Sequence, residues 1–234
     1  MKKLLAFTLA ETLIVIGIIG VVSALTLPNL NSSTGEKEKV AKVKKIYQNL
    51  DDAVGRAVAI YGPIDEWKLL DNTNSAQITR FGNRITEFMK VSKNCGFGIN
   101  NSCYKMSTSK FLNGTVYGKA EDMGYTFILA DGTSVAIMTV GSIEVDIDGP
   151  NKGSTTMGKD VFSFDLDDSD NGFIQPFGAD YTYSNILTYA KPNGKGTSAT
   201  YWVINYDNMD YLKLDSSGKC PNGKSPTQSN PRCN

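Results

Sequence analysis

The chain has 234 residues, 41% hydrophobic and 21% charged, a balance that fits a folded protein and excludes general disorder. Its 24 basic and 24 acidic residues cancel, so no global charge supports nucleic-acid binding, and none is expected. Histidine is absent, which removes Ser-His-Asp and Cys-His nucleophiles and every histidine-ligated metal centre, and the chain is read as a non-enzyme.

Residues 1–6, MKKLLA, form a short leader carrying Lys2 and Lys3. Residues 7–27 are apolar apart from Glu11 and a few hydroxyls. As a helix they span roughly 30 Å, the thickness of a bilayer core. The two lysines place the N-terminus on the cytoplasmic side and send the remainder outward. Pro28 and the polar run NLNSSTG predict a break after a first segment, 7–30. Ser33 and Glu36 then have capping-box spacing and open an amphipathic helix over 31–62. Val40, Val43, Tyr47, Leu50, Val54, Ala57 and Tyr61 recur at steps of three and four, one apolar stripe. The lysines at 37, 39, 42, 44 and 45 read as a solvated face. Gly62-Pro63 ends the helix.

Residues 63–234 change character. GYTFILA, Asp131-Gly132 and TSVAIMTV read as strand, hairpin turn and strand. SIEVDID, DVFSFDL and, later, TYWVINY read as further strands. The fold class is α+β: a long N-terminal helix, one half in the membrane and one half amphipathic, with an antiparallel β-sheet head.

The head carries Cys95, Cys103, Cys220 and Cys233, which allow three disulfide pairings. Their spacings favour two local loops, Cys95–Cys103 and Cys220–Cys233, and an oxidising compartment. A four-cysteine zinc site lacks the short two-to-four-residue spacers it needs. Asp146, Asp148, Asn151 and Asp160, around a Gly-Pro-Asn turn, offer oxygens suited to calcium as a cofactor. The plainer reading is a turn whose aspartates bond the backbone. Asp165, Asp167, Asp168 and Asp170 lack EF-hand spacing and read as a solvated turn. Tyr181, Tyr183, Tyr189, Tyr201, Tyr206 and Tyr211 crowd the last third with Trp202 and read mainly as core and cross-strand pairs.

Three readings compete for residues 1–30. Val22-Ser23-Ala24 offers a signal-peptidase site, which would release a soluble exported binding or hydrolytic protein after Ala24. A plain membrane anchor must tolerate Glu11 at up to roughly 2.5–3.5 kcal/mol. The third reading gives the acid a role. MKKLLA-FTLAETLIVIGIIG, with Pro28 after it, resembles the N-terminus of type IV pilins and type II secretion pseudopilins.

The resemblance implies a structural subunit of a pilus or pseudopilus, polymerised through its N-terminal helix. It implies cleavage by a prepilin peptidase between Ala6 and Phe7, although the family normally has glycine where this chain has Ala6. It further implies N-methylation of Phe7 and pairing of Glu11 with the Phe7 amine of an adjacent subunit. The implied partners are copies of itself and related subunits, the peptidase, an inner-membrane assembly platform and the membrane. The implied location is the cytoplasmic (inner) membrane, single-pass with the head outside the cytoplasm, and then the filament. Major pseudopilins bind calcium in a head loop, and the Cys220–Cys233 loop resembles in position the C-terminal disulfide loop of some pilins. Physically, a carboxylate in lipid is costly alone, and pairing with an ammonium inside a helix bundle offsets much of that cost. Gly17, Gly20, Ser23 and Ala24 are small enough to let helices approach.

Overall fold

Helix α1 runs Leu9–Tyr61, 53 residues in all. The computed structural model describes residues 9–67, 75–98, 102–118, 124–138, 141–167 and 173–233, with 23–34 and 65 described by backbone alone. The break predicted at Pro28 and NLNSSTG is absent. The backbone stays helical through both, so Ser33 and Glu36 lie inside the helix and not at a capped start. A proline forfeits one helical hydrogen bond, about 3 kcal/mol, and need not end a helix with long runs on either side.

The chain divides into two units, residues 1–38 and 39–234. In the first, the side chains of 9–22 are exposed throughout. Among the described residues, no helix is long and apolar enough to cross a membrane.

In the second unit, Val40, Val43, Ile46, Leu50, Ala53, Val54 and Ala57 of α1 are buried, while Tyr47 is half-buried and Tyr61 exposed. The stripe is the predicted one, rotated slightly to take in Ile46 and Ala53. It shares one core with a six-stranded antiparallel sheet in sequential order. The strands are β1 (Val91–Gly98), β2 (Gly124–Leu129), β3 (Ser134–Met138), β4 (Ile143–Asp146), β5 (Val161–Leu166) and β6 (Ile174–Pro176). Alternation sets the faces. Tyr125, Ile137, Ile143 and Phe164 pair across the sheet and join the helix in the core, where the Tyr47 and Phe164 rings stack at 5.9 Å. Thr126, Ala136, Glu144 and Ser163 pair on the reverse face, where Tyr104 and Met106 cover Ala136.

The β2–β3 turn is the predicted Asp131-Gly132 hairpin, with Gly132 at φ 88° closing back onto the Leu129 carbonyl at 3.0 Å. Helix α2 (Ser75–Thr86) buries Ile78, Phe81 and Ile85, and its Gly82 leaves room for the Tyr125 ring.

One predicted strand is a helix. TYWVINY lies in α4 (Ala199–Tyr206), packed beside α3 (Tyr183–Ala190). Its β-branched and aromatic residues favour strands only where a pleated surface receives them. Here Ala199, Trp202 and Val203, spaced three and four apart, enter the core from one helical face.

Candidate functional site

The cleavage and methylation positions Ala6 and Phe7 lie outside the described residues. Glu11 is described, exposed in the first turn of α1. Around it Leu9, Leu13, Ile14, Val15, Ile16, Ile18, Ile19, Val21 and Val22 are all between 51% and 81% exposed. Gly17 and Gly20 have open space beside them. An apolar surface of this extent is uncommon on a soluble domain and marks a place where lipid or protein packs.

The second feature is built by the β4–β5 connection. Asp146 ends β4, and its Oδ1 accepts hydrogen bonds from the backbone N–H groups of Asp148 and Gly149, both at 3.1 Å. Gly149 turns the chain at φ 81°. Asp160 closes the loop, its Oδ2 accepting from the Ser154 N–H at 2.9 Å and hydroxyl at 2.7 Å. These are the backbone-bonded aspartates of the plainer reading, with one addition. Lys39 donates from Nζ to Asp160 Oδ1 at 2.6 Å and to the Lys159 carbonyl at 3.2 Å, and lies 3.5 Å from Asp148 Oδ2.

Three of the four residues proposed for calcium are thus brought together, and an ammonium of the same chain meets two of them, Asp148 and Asp160. Asn151 sits exposed on the loop. Among the described residues, no group of three or more acidic, cysteine or histidine side chains is arranged to hold a metal ion.

The electrostatics follow from burial. Partial burial draws the Lys39 pKa down, but its hydrogen bond to Asp160 and the charges of Asp160 and Asp148 outweigh this and hold it above the ordinary lysine value. Burial also pushes Asp160 up, yet the bonds from Lys39 and Ser154 keep it below the ordinary carboxylate range. Asp146 has no such relief. It is 1% exposed, its Oδ2 has no hydrogen-bond partner among the described residues, and burial pushes its pKa up to about 7 against the two backbone bonds.

Lys39 is one of the five lysines (37, 39, 42, 44 and 45) whose pattern in the sequence predicts only a solvated face. Position 39 shares a helical face with Val43, Ile46 and Leu50, so its spacing carried the signal. Two neighbours are paired as well: Lys44 with Asp207 at 2.8 Å and Lys45 with Asp131 at 3.0 Å. These more exposed pairs contribute little, about 0–1 kcal/mol each.

A buried polar cluster on the reverse sheet face also went unread. Glu144 Oε2 accepts from the phenols of Tyr104 at 2.8 Å and Tyr117 at 3.0 Å. Burial first, and then the Glu144 charge, hold both phenols above their ordinary pKa.

The cysteines form two disulfides, Cys95–Cys103 and Cys220–Cys233. The first fixes the segment whose next residue, Tyr104, reaches Glu144. The second closes a polar loop, and the Cys233 N–H donates to Asp210 Oδ2 at 2.9 Å. Asp165 lies at the end of β5 with its pKa raised by burial and by Asp180; Asp168 and Asp170 lie outside the described residues.

Five of the six tyrosines lie in helical segments, Tyr181 lies in the bend before α3, and none is in a strand. Tyr211 is fully buried, Tyr183, Tyr201 and Tyr206 half-buried, and Tyr181 and Tyr189 exposed. Trp202 is their hub, with ring centroids 5.2 Å from Tyr206 and 6.0 Å from Tyr211. No known family, characterised protein or solved structure matches this chain.

Proposed function

We propose that the chain is a structural subunit of a type IV pilus or type II secretion pseudopilus. It is inserted in the inner membrane with its head outside the cytoplasm, trimmed by a prepilin peptidase between Ala6 and Phe7, methylated at Phe7, and polymerised through its N-terminal helix. The observation that carries the reading is the start of α1: nine large apolar side chains, each more than half exposed, with Glu11 among them. Such a surface is stable only against lipid or against other helices. An acid within it favours the second, because a neighbouring subunit can supply a cation at that depth and the hydrocarbon core of a bilayer cannot. The two disulfides are consistent with a head outside the cytoplasm.

In this reading the protein performs no reaction, and its partners are copies of itself, related subunits, the peptidase and the inner-membrane assembly platform. Asp148 and Asp160 act as the anchor of Lys39 at the first residue of the head unit. The calcium role suggested for that loop is not needed for the reading.

Mass spectrometry of the mature N-terminus, in cells that carry the assembly machinery, tests the processing step. A chain starting at N-methylated Phe7 is expected. A chain starting at Leu25 overturns the proposal and makes the protein an exported soluble one.

A further inference from the structure

We propose that the cleft between α2 and the end of α1 is a binding site for a carboxylate carried on an aromatic or apolar group. The cleft has a volume of about 470 Å³ and includes Tyr61, Arg80, Arg84, Glu87 and Phe97 in its lining. That size lies within the range of small-molecule sites.

Arg84 is its centre. The guanidinium carbon lies 4.7 Å from the centroid of the Tyr61 ring and 4.8 Å from that of Trp67. The two rings hold the planar fork in place through cation–π contact. Among the described residues its Nη1 is buried with no hydrogen-bond partner. Arg80 stands one turn earlier on the same face of α2.

Among the described residues, neither arginine has an ion-pair partner. Glu87, which also lines the cleft, accepts the Tyr61 hydroxyl on its Oε2 at 2.5 Å. Among the described residues that line the cleft, Arg80 and Arg84 face one acid, Glu87, which leaves one positive charge in excess.

The shape of the fork selects among anions. A guanidinium presents parallel N–H groups that match the two oxygens of a carboxylate, and aromatic clamping spares the entropy of ordering it. Phe97 and the edges of Tyr61 add apolar wall, which suits a ligand with a ring or aliphatic body behind its carboxylate. The site is independent of the assembly surface, and its test does not depend on filaments.

The experiment titrates the full chain, in detergent, with sodium benzoate while following tryptophan emission. Trp67 touches Arg84, whereas Trp202 is buried in the α3–α4 cluster. A saturable change with a Kd of about 1–10 mM is expected, the affinity appropriate to so small a ligand in an open cleft. Benzamide, with the same shape and no charge, is expected to give none. Arg84→Lys keeps the charge and loses the fork, and is expected to weaken binding at least tenfold. If that variant does not fold, Arg80→Gln outside the ring stack is expected to weaken binding several-fold. No saturation by about 50 mM, equal binding of benzamide, or equal binding of inorganic phosphate would overturn the proposal.

Discussion

Replacing Glu11 by alanine is expected to leave the protein in the membrane and to lower its incorporation into filaments about 100-fold. The substitution removes a charge whose transfer into lipid is unfavourable by roughly 2.5–3.5 kcal/mol, so insertion becomes easier. Assembly responds in the opposite sense. In the proposed filament the acid would pair with the amine of a neighbouring Phe7, and losing one member of a buried pair leaves the other uncompensated, about 3–5 kcal/mol. Each 1.4 kcal/mol is a factor of ten, which gives the two orders of magnitude or more. Glu11→Gln keeps the shape without the charge and is expected to fail equally. The measurement is an immunoblot of sheared filaments against the membrane fraction. Filaments at parental level from either variant would remove Glu11 from the assembly mechanism.

The second large effect lies in the head. Asp146→Asn is expected to stabilise the fold at pH 8 by about 2–4 kcal/mol and to change it little at pH 4. The sign follows from proton binding. An acid with a folded-state pKa near 7, against about 4 when unfolded, keeps its proton in the folded chain where the unfolded chain has lost it. The folded state binds more protons over that interval, so stability falls as pH rises from about 4 to about 7 and then levels.

Around Asp146, the carboxylates of Asp148 and Asp160 oppose its ionisation, and Glu144 and Tyr104 lie on the same sheet face. Among the described residues, the cation that bonds into the cluster is Lys39, and it is bonded to Asp160. Asp160 works the other way: its lowered pKa contributes stability above the unfolded value that is lost as pH falls through the folded one. Asp165, raised by burial and Asp180, adds to the decline in parent and variant alike, so the difference between them isolates Asp146. Urea unfolding at pH 5 and pH 8 reads it. Equal pH slopes in the two proteins would mean that Asp146 is ionised in the fold at neutral pH.

The parts of this fold that were legible share one property. β2 to β5 and the 40–57 stripe alternate or recur against a single continuous core, so periodicity alone locates them. β1 was missed because it is an edge strand with two register shifts, and Ser92, Lys93 and Asn94 are exposed along it. β6 is three residues ending in Pro176, an edge position where a missing N–H costs nothing. α4 was misread because Tyr201, Trp202, Val203 and Ile204 carry strand propensity, while the deciding factor was the tertiary pocket that receives Trp202. Its indole N–H donates to Asn208 Oδ1 at 2.9 Å, and its rings meet three tyrosines.

The acids of the β4–β5 loop could be located by spacing, but their partner could not. Lys39 is 121 residues from Asp160, and only the packing of α1 on the sheet brings the two together. The Arg84 cleft was hidden for the same reason, since Tyr61, Trp67 and Arg84 belong to separate elements.

Site-specific photo-crosslinking from the apolar start of α1 is the most direct test that this surface packs against other subunits. A photoreactive phenylalanine at Ile18, 60% exposed in the isolated chain, is irradiated in cells that carry the assembly machinery. A ladder at multiples of the chain mass is expected, and it should collapse to monomer in Glu11→Ala. A monomer band alone in the Glu11 parent, with the same probe crosslinking efficiently to lipid, would show a plain anchor and contradict the assembly role.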